Sequence, residues 1–413
     1  MQRDASLATP GSRKLSYKPT IETFLTLLEE HFEGTVRMNK LTSKPEQLAN
    51  GRWVPWKDAD DAAVRLFFQQ QYDLYHKNHL DDAFRIYLRT HEVNPLTDML
   101  DKLAWDCVPR IEKCLIHLTG CEDTPYTREV SRLLFAGGIH RAYRPGCKFD
   151  DVPVLVGRQG GGKSALVRLL AMDDQFFREV KTFDGAEGVE ALSGGWIIEI
   201  PEMLATARAK EVELVKAYIT RQQDTYRVPY DRYVQSLPRQ CIFVGTTNNP
   251  TFLVDRTGNR RFYPIQCVKS GYAFFDKLDE YREYVRQCWA EAKVLFDRGE
   301  LKPYASFDLL ADIQAEQEHA VEDDPREGLI RAYCERLPVG SVVCVMELWE
   351  RALHQDSTMR LPTRRDSIDI GQAVAKIPGW ERTPKSVRTR DYGVVKGYKK
   401  AFQEVERPAD CPF

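Results

Sequence analysis

The sequence predicts an α/β protein with a parallel central sheet, and three observations support this fold class. A short apolar run rich in β-branched residues, Val152–Val156, is followed by a glycine-rich turn. The turn leads directly into a segment with the apolar spacing of a helix that packs on a sheet. Two later apolar runs, 196–200 and 241–245, also have the composition of buried strands, and polar residues follow both. Strands that alternate with helices in this way are typical of an open α/β sheet.

The turn after the first of these strands fits the phosphate-binding pattern GxxxxGK[ST]. Glycines let backbone N–H groups approach phosphate oxygens without interfering side chains, and the helix N-terminus adds the positive end of its dipole. The lysine of such a loop reaches the β- and γ-phosphates, and the hydroxyl after it holds Mg²⁺. A glycine-rich hairpin with a chance lysine is the alternative, and the flanking strand and helix disfavour it. The predicted ATP-binding residues are Gly157, Arg158, Gln159, Gly160, Gly161, Gly162, Lys163, Ser164 and Ala165, of which Lys163 is also a catalytic candidate and Ser164 a magnesium ligand.

Two carboxylates lie at and just beyond the second strand, in the sequence WIIEIPE. A nucleotide hydrolase needs an acid at the end of a buried strand to hold Mg²⁺, and a second acid often orients the attacking water. Glu199 follows three bulky apolar residues and is the first candidate for the metal. Glu202 lies just past the strand, where a water-polarising base is expected. The two roles can also be exchanged, and one of the two acids can be a surface carboxylate.

Polar residues also follow the third strand, in the sequence TTNN at 246–249. An amide beside the phosphate-binding loop can sense the γ-phosphate and position water. Three arginines then surround a Gly-Asn turn, and the last two are Arg260 and Arg261. Arginine from a neighbouring subunit can stabilise transition-state charge in trans, so both are candidates for that role.

Arginines and tyrosines alternate around a proline at 224–233, which predicts an exposed hairpin. Arginine neutralises phosphates and tyrosine offers a face on which bases stack. The candidate DNA-binding residues are Arg227, Tyr230 and Arg232. A solvated loop with its aromatic side chains packed inward explains the same pattern equally well.

Composition places the chain among ordinary globular proteins. Hydrophobic residues make up 43% and charged residues 29%, and the formal net charge is −2. Binding to nucleic acid therefore requires local basic patches, because the protein as a whole is not a polycation. No apolar run reaches the length of a membrane span and the N-terminus lacks a signal-peptide core, so the sequence predicts a cytoplasmic protein with no membrane partner.

The pattern of apolar spacing and charge divides the 413 residues into five segments. We predict a flexible arm at 1–18, a helical N-terminal region at 19–145, the ATPase core at 146–300 and an acidic linker at 301–326. The remainder, 327–413, is basic and predicts a small, mostly helical domain. A winged helix-turn-helix that binds duplex DNA and an accessory bundle with a solvated basic face are its two interpretations.

Five motifs in this order, GRQGGGKS, WIIEIPE, DTYRVPYDR, FVGTTNN and DRTGNRRF, resemble the virulence-associated E family of phage and prophage proteins. That family is similar to superfamily 3 helicases within the AAA+ ATPases. The resemblance implies a P-loop core that binds ATP and Mg²⁺, with Lys163 and Ser164 in the first motif and Glu199 with Glu202 in the acidic motif. It also implies that Arg227, Tyr230 and Arg232 lie in a channel hairpin, that Asn248 is the sensor, and that Arg260 or Arg261 is the arginine finger. Two features depart from the pattern: Ile200 and Pro201 separate the acids, and the helical first third does not predict a primase domain.

These inferences favour an ATP-dependent, ring-forming DNA helicase or translocase that acts in phage or mobile-element DNA replication within the bacterial host. Its expected partners are single-stranded or forked DNA, further copies of the chain and host or phage replication proteins. By resemblance the expected oligomer is a hexamer. The alternative is a replication initiator or helicase loader that uses ATP as a switch and does not unwind DNA. A small-molecule phosphotransferase fits the arginines and the asparagine less well.

Overall fold

The computed structural model describes residues 17–203, 209–226, 235–253, 259–269, 275–319, 325–389 and 391–401. The chain divides into two compact units, Met1–Val321 and Glu322–Phe413. Within the described ranges, no helix combines the length and apolarity needed to cross a membrane.

The first unit begins with a small α/β layer. Its helices are α1 (Ile21–Phe32), α2 (Asp58–Tyr72) and α3 (Lys77–Thr90), and its strands are β1 (Val36–Asn39), β2 (Lys44–Ala49), β3 (Arg52–Pro55) and β4 (Glu92–Val93). The strands form a sheet in the order β3-β2-β1-β4. Phe24, Phe68 and Tyr87, one from each helix, are fully buried in the core of this layer. The structure therefore differs from the helical region predicted for 19–145, because this part also contains a four-stranded sheet.

Helices α4 (Pro95–Leu100), α5 (Cys114–Thr119) and α6 (Pro125–Tyr143) lead from this layer to the central sheet. Helix α6 is buried along most of its length. Its two glycines permit this close packing, since a Cβ at Gly138 would collide with the Trp289 ring and one at Gly137 with Phe149. Helix α6 is thus an internal element of the core.

The central sheet contains five strands: β5 (Val152–Val156), β6 (Phe177–Glu179), β7 (Ile197–Ile200), β10 (Ile242–Thr247) and β11 (Phe262–Gln266). Their order is β11-β5-β10-β7-β6 and every neighbouring pair is parallel, which confirms the predicted α/β class with a parallel sheet. Between these strands lie α7 (Lys163–Leu170), α8 (Gly185–Glu190), α9 (Ala209–Thr220) and the antiparallel pair β8 (Gln223–Tyr226) and β9 (Gln235–Pro238).

After β11, the described part of the first unit includes the helices α10 (Leu278–Asp297) and α11 (Leu310–His319). Leu301 and Ile313 are buried in the same apolar cluster as α6 and the sheet. The Gln317 amide donates to the Phe262 carbonyl at 3.0 Å. Residues 301–319 are therefore part of the packed unit rather than the linker predicted for 301–326.

The second unit combines helices with a small sheet. Its helices are α12 (Pro325–Arg336), α13 (Val345–Glu347) with a π-helical turn at Leu348–Ala352, and α14 (Arg364–Ala375). Strands β12 (Val342–Cys344), β16 (Gly397–Lys400) and β13 (Trp380–Arg382) pair in that order, and β14 (Val387–Thr389) pairs with β15 (Gly393–Val395). The core includes Trp349, Ile370 and Trp380. The sheet makes this unit less helical than the sequence pattern predicts.

Candidate functional site

The candidate site lies where β5, β7 and β10 end. Because these strands are parallel, their carboxyl ends meet at one edge of the sheet, and ligands of open α/β sheets bind in the crevice at that edge. The register places Val156 beside Thr247 and Ile200 beside Gly245. The polar residues after each strand therefore lie close together, as the sequence pattern requires.

The glycine-rich turn at 157–162 joins β5 to α7, as the motif predicts. Gly160 and Gly162 have φ angles of +74° and +81°, which glycine adopts without strain. A Cβ at Gly157 would lie 2.9 Å from the Cys267 carbonyl oxygen, so the turn packs closely against the segment after β11. A Cβ at Gly160 would meet no atom within 4 Å, so the crest of the turn faces open space.

Lys163 begins helix α7 and extends its ammonium group across the turn. Its Nζ donates to the Gly157 carbonyl at 2.7 Å, the Arg158 carbonyl at 2.9 Å and the Asn248 Oδ1 atom at 2.7 Å. Burial lowers the pKa of Lys163, and the carboxylates of Glu199 and Glu202 partly oppose this shift. All three ammonium protons point to oxygen acceptors, which holds the cation at the sheet edge.

Glu199 is the most enclosed acid of the site, with only 1% of its surface exposed. Its Oε1 atom accepts hydrogen bonds from the Ser164 hydroxyl at 2.6 Å and from the Thr246 hydroxyl at 2.7 Å. The two predicted magnesium ligands, Ser164 and Glu199, are therefore in direct contact. Thr246 was not predicted from the sequence, although its position at the end of β10 beside TNN is the signal that could have identified it.

Glu202 lies in the turn after β7, and its backbone has a φ of +47°, which is uncommon for a residue with a side chain. The Asn248 amide donates to its Oε1 atom at 3.2 Å, and the Thr246 carbonyl accepts from the Met203 N–H at 2.8 Å. The turn is thereby held across the end of β10. Asn248 contacts both Lys163 and Glu202, so one amide joins the cation and the outer acid.

Arg260 and Arg261 lie far from this edge, because they precede β11 and therefore occupy the opposite, amino edge of the sheet. Arg261 donates to Asp150 at 3.0 Å, and Tyr263 donates to Asp151 at 2.9 Å. Burial raises the pKa of Asp151 to about 6, and the Asp150 charge adds to the shift. Arg260 is exposed, and no ion pair of its guanidinium occurs within the ranges that the structure describes. Neither arginine lies at the candidate site of its own chain.

Arg227, Tyr230 and Arg232 lie outside the described residues, but the strands that lead to them are described. Strands β8 and β9 form an antiparallel ladder from Gln223–Pro238 to Tyr226–Gln235. At its base, the Arg239 guanidinium binds both Asp224 carboxylate oxygens, at 2.6 and 2.8 Å. It also donates to the Tyr218 carbonyl. The sequence contained no signal for this buried ion pair.

The comparisons with known proteins agree with the fold. The apo structure of the NrS-1 C-terminal region is similar with a TM-score of 0.54 and 15% identity, over 94% of this chain and 100% of that one. An A-form apo structure of the same region gives a TM-score of 0.52 at 14% identity, over 93% of this chain and 100% of that one. At these identities the likeness shows the fold alone. No curated protein matches the chain significantly.

The family follows from the sequence itself. The model of the virulence-associated protein E-like domain matches residues 100–324, more than half of the chain. The matched range contains the glycine-rich turn, both acids, Asn248 and the two arginines. The chain therefore belongs to the virulence-associated protein E-like family, as the five motifs predicted.

Proposed function

We propose that the protein is an ATP-dependent, ring-forming DNA helicase or translocase that acts in phage or mobile-element DNA replication. The observation that carries this proposal is the convergence of Lys163, Ser164, Glu199 and Asn248 at the carboxyl edge of one parallel sheet. P-loop nucleotide hydrolases use the same groups: a glycine-rich turn, a cation, a hydroxyl, an acid and an amide. A role in phage or mobile-element replication rests on the family.

The residues at this edge fit a nucleoside triphosphate and Mg²⁺. The open space above Gly160 would receive phosphate oxygens at the N-terminus of α7, where backbone N–H groups point outward. The Ser164 hydroxyl and the Glu199 carboxylate, 2.6 Å apart, are oxygen ligands of the kind that Mg²⁺ prefers. Bound there, Mg²⁺ would neutralise charge on the β- and γ-phosphates. Lys163 would exchange its carbonyl and amide acceptors for phosphate oxygens.

The geometry also favours one assignment of the two acids. Glu199 is enclosed and directly bonded to Ser164, so we assign it to the metal. Glu202 is exposed and its single described hydrogen-bond partner is Asn248, so we assign it to the attacking water. Asn248 would then report the loss of the γ-phosphate to the Glu202 turn, because it contacts Lys163 on one side and Glu202 on the other.

The ion pair of Asp224 and Arg239 supports the DNA-moving role of the hairpin. It ties β8 and β9 to Tyr218 on α9, so a movement of the ATPase core would be transmitted to the segment that contains Arg227, Tyr230 and Arg232. In this proposal those three side chains bind one strand of DNA: the arginines contact its phosphates and the tyrosine stacks on a base.

The test is steady-state ATP turnover with and without single-stranded DNA, for the wild type and Lys163→Ala, followed by displacement of an annealed strand on the same samples. We expect DNA to stimulate turnover, and strands to separate only with Lys163 intact. Turnover without strand separation on forked or single-tailed DNA would contradict the helicase and favour the ATP-switched loader. Turnover that no DNA stimulates would contradict both and favour a small-molecule phosphotransferase.

A further inference from the structure

The second unit has the element order helix, strand, helix, helix, strand, hairpin, strand. Helix α12 is followed by β12, then by the α13 segment and α14, and then by β13, the β14–β15 hairpin and β16. Strand β16 returns between β12 and β13 in the sheet. In a helix-turn-helix the second helix enters the major groove of DNA. Here that helix is α14, and we call the β14–β15 hairpin the wing. The turn of the wing is held to the π-helical segment, since Tyr392 donates to Glu350 at 2.7 Å and Arg351 donates to Asp391 at 2.6 Å.

Helix α14 is fixed at both ends and cannot rotate freely about its axis. Thr363 caps its first turn in a reciprocal pair of hydrogen bonds with Asp366. Ile370 and Val374 are buried in the core of the unit. Gly371 faces the Tyr398 hydroxyl on β16 so closely that a Cβ there would collide with it. The side chains on the other side of the helix are therefore held toward solvent.

The carboxylates of α14 are neutralised on the side that faces α12. Arg326 donates to Asp366 and to Asp369, each at 3.1 Å. The outer face then presents the exposed Arg364 and Ile368 and the half-buried Gln372 at intervals of four residues, which places them in one row along the helix. Ile368 is 51% exposed, although an isoleucine on a surface helix normally packs inward.

The strands and the wing are strongly basic. Residues 380–401 contain seven Lys or Arg and only two Asp or Glu, in a chain whose net charge is −2. Arg388 on the wing is exposed, as are Lys385 and Lys396 at its two ends. Lys400 is different, because its Nζ atom donates to the carbonyls of Cys334, Glu335 and Leu337 at the end of α12. Lys400 is a structural residue, whereas the wing cations are free to contact phosphates.

We propose that the second unit binds duplex DNA, with α14 in the major groove and the wing on the sugar-phosphate backbone. Arg364 and Gln372 have the donor and acceptor groups that pair with guanine and adenine edges, and Ile368 suits the methyl group of thymine. The wing cations supply the electrostatic attraction that is independent of sequence. This site is separate from the ATP site and does not rest on hydrolysis or unwinding. Such binding would let the protein select one DNA sequence, for example the site at which replication starts.

The experiment uses the full chain and a pool of short DNA duplexes with a randomised central segment, from which bound molecules are recovered and sequenced. We expect an enriched motif, and each of Arg364→Ala, Ile368→Ala and Gln372→Ala should lower the preference at one or two base positions by roughly 5- to 100-fold. Arg388→Ala should weaken binding to all duplexes alike and reduce the salt slope by about 1. Arg331→Ala, which removes an exposed arginine from α12, is the matched control and should leave both readouts unchanged.

Two results would overturn the proposal. One is a recovered pool without base preference. The other is a motif that the three α14 variants leave unchanged. ATP turnover of every variant is measured in parallel and should equal that of the wild type. A chain that selects duplexes but does not hydrolyse ATP would refute the proposed function and leave this site intact, so the two failures can be told apart.

Discussion

Arg260→Ala should abolish ATP hydrolysis, because Arg260 would act on the ATP bound by the neighbouring subunit and not on the ATP bound by its own subunit. Strand β11 spans five residues, Phe262–Gln266, between the arginine pair and the carboxyl edge. At about 3.3 Å per residue the strand separates the two edges by roughly 16 Å, well beyond the reach of one side chain. An arginine at this edge can complete an ATP site only in trans. Loss of such a finger typically lowers turnover about 10³- to 10⁵-fold while leaving nucleotide binding intact.

Arg261 provides the matched control at the adjacent position. Its guanidinium is paired with Asp150 at 3.0 Å within the same chain, and 17% of each side chain is exposed. Arg261→Ala should therefore cost about 2 kcal/mol of unfolding free energy and change turnover far less than Arg260→Ala does. The assays are DNA-stimulated ATP turnover, binding of a fluorescent nucleotide and urea unfolding, on both variants and the wild type.

A mixing experiment distinguishes action in trans from a local effect. Arg260→Ala and Lys163→Ala proteins should each be inactive alone. If they form mixed rings in equal amounts, about a quarter of the interfaces would combine an intact Lys163 with an intact Arg260 from the next subunit, so activity should return to that fraction. A mixture that stays inactive, although the two proteins demonstrably co-assemble, would refute the reasoning. Wild-type turnover by Arg260→Ala alone would refute it as well.

Three further predictions concern the acids and the buried ion pairs. Glu199→Gln should lose Mg²⁺-dependent nucleotide binding, whereas Glu202→Gln should bind nucleotide normally and hydrolyse ATP about 10²- to 10⁴-fold more slowly. Equal nucleotide binding by both variants would contradict the assignment of the two acids. Asp151→Asn should stabilise the protein by up to about 3 kcal/mol above pH 6, because burial raises the pKa of Asp151 to about 6. The native state then binds more protons than the unfolded state between about pH 4 and 6, so the Asp151 contribution to stability falls as pH rises through that window. The measurement is urea unfolding at pH 5 and 8, and an Asp151→Asn variant no more stable than the wild type at pH 8 would contradict the prediction. Arg239→Met should cost about 3–5 kcal/mol of unfolding free energy, because it leaves the buried Asp224 with only the Arg221 guanidinium, 3.8 Å away. A second change, Asp224→Leu, should recover most of that loss, and failure of the double variant to recover would contradict the ion-pair explanation.

The sequence predicted the centre of the fold better than its periphery. Strand β5, the glycine-rich turn and α7 are where the motif placed them, because a buried strand and a glycine-rich turn leave strong local patterns. The parallel sheet was predicted from the same kind of local pattern, and the structure confirms it. By contrast, β2 reads KPEQLA, with a proline and two charged residues, and lacks the alternation that predicts a strand. Its pairing with β1 and β3 creates the strand, and no local pattern encodes that pairing.

The candidate site shows the same division. Strand ends identified Glu199 and Asn248, and the parallel order explains why they meet Ser164 and Lys163. The choice between the two acids could not be made from spacing alone, because it depends on which carboxylate the Ser164 hydroxyl reaches. The ion pair of Asp224 and Arg239 joins residues that the hairpin separates, so only the folded chain reveals it. The roles of all these residues in catalysis stay predictions.

The separation of Lys163 and Arg260 has a consequence for assembly. The two groups occupy opposite edges of one sheet, so a shared ATP site must join the carboxyl edge of one copy to the amino edge of the next. When the two edges lie on different surfaces of the chain, such an interface is heterologous, and repeated heterologous contacts close into rings when the rotation between copies permits. An isologous dimer could also supply the arginine in trans, but only if one face of the chain carried both edges, because residue i then contacts residue j and j contacts i. If Arg260 is the finger, its position therefore requires contact between copies, and a ring is the assembly in which two different surfaces make that contact.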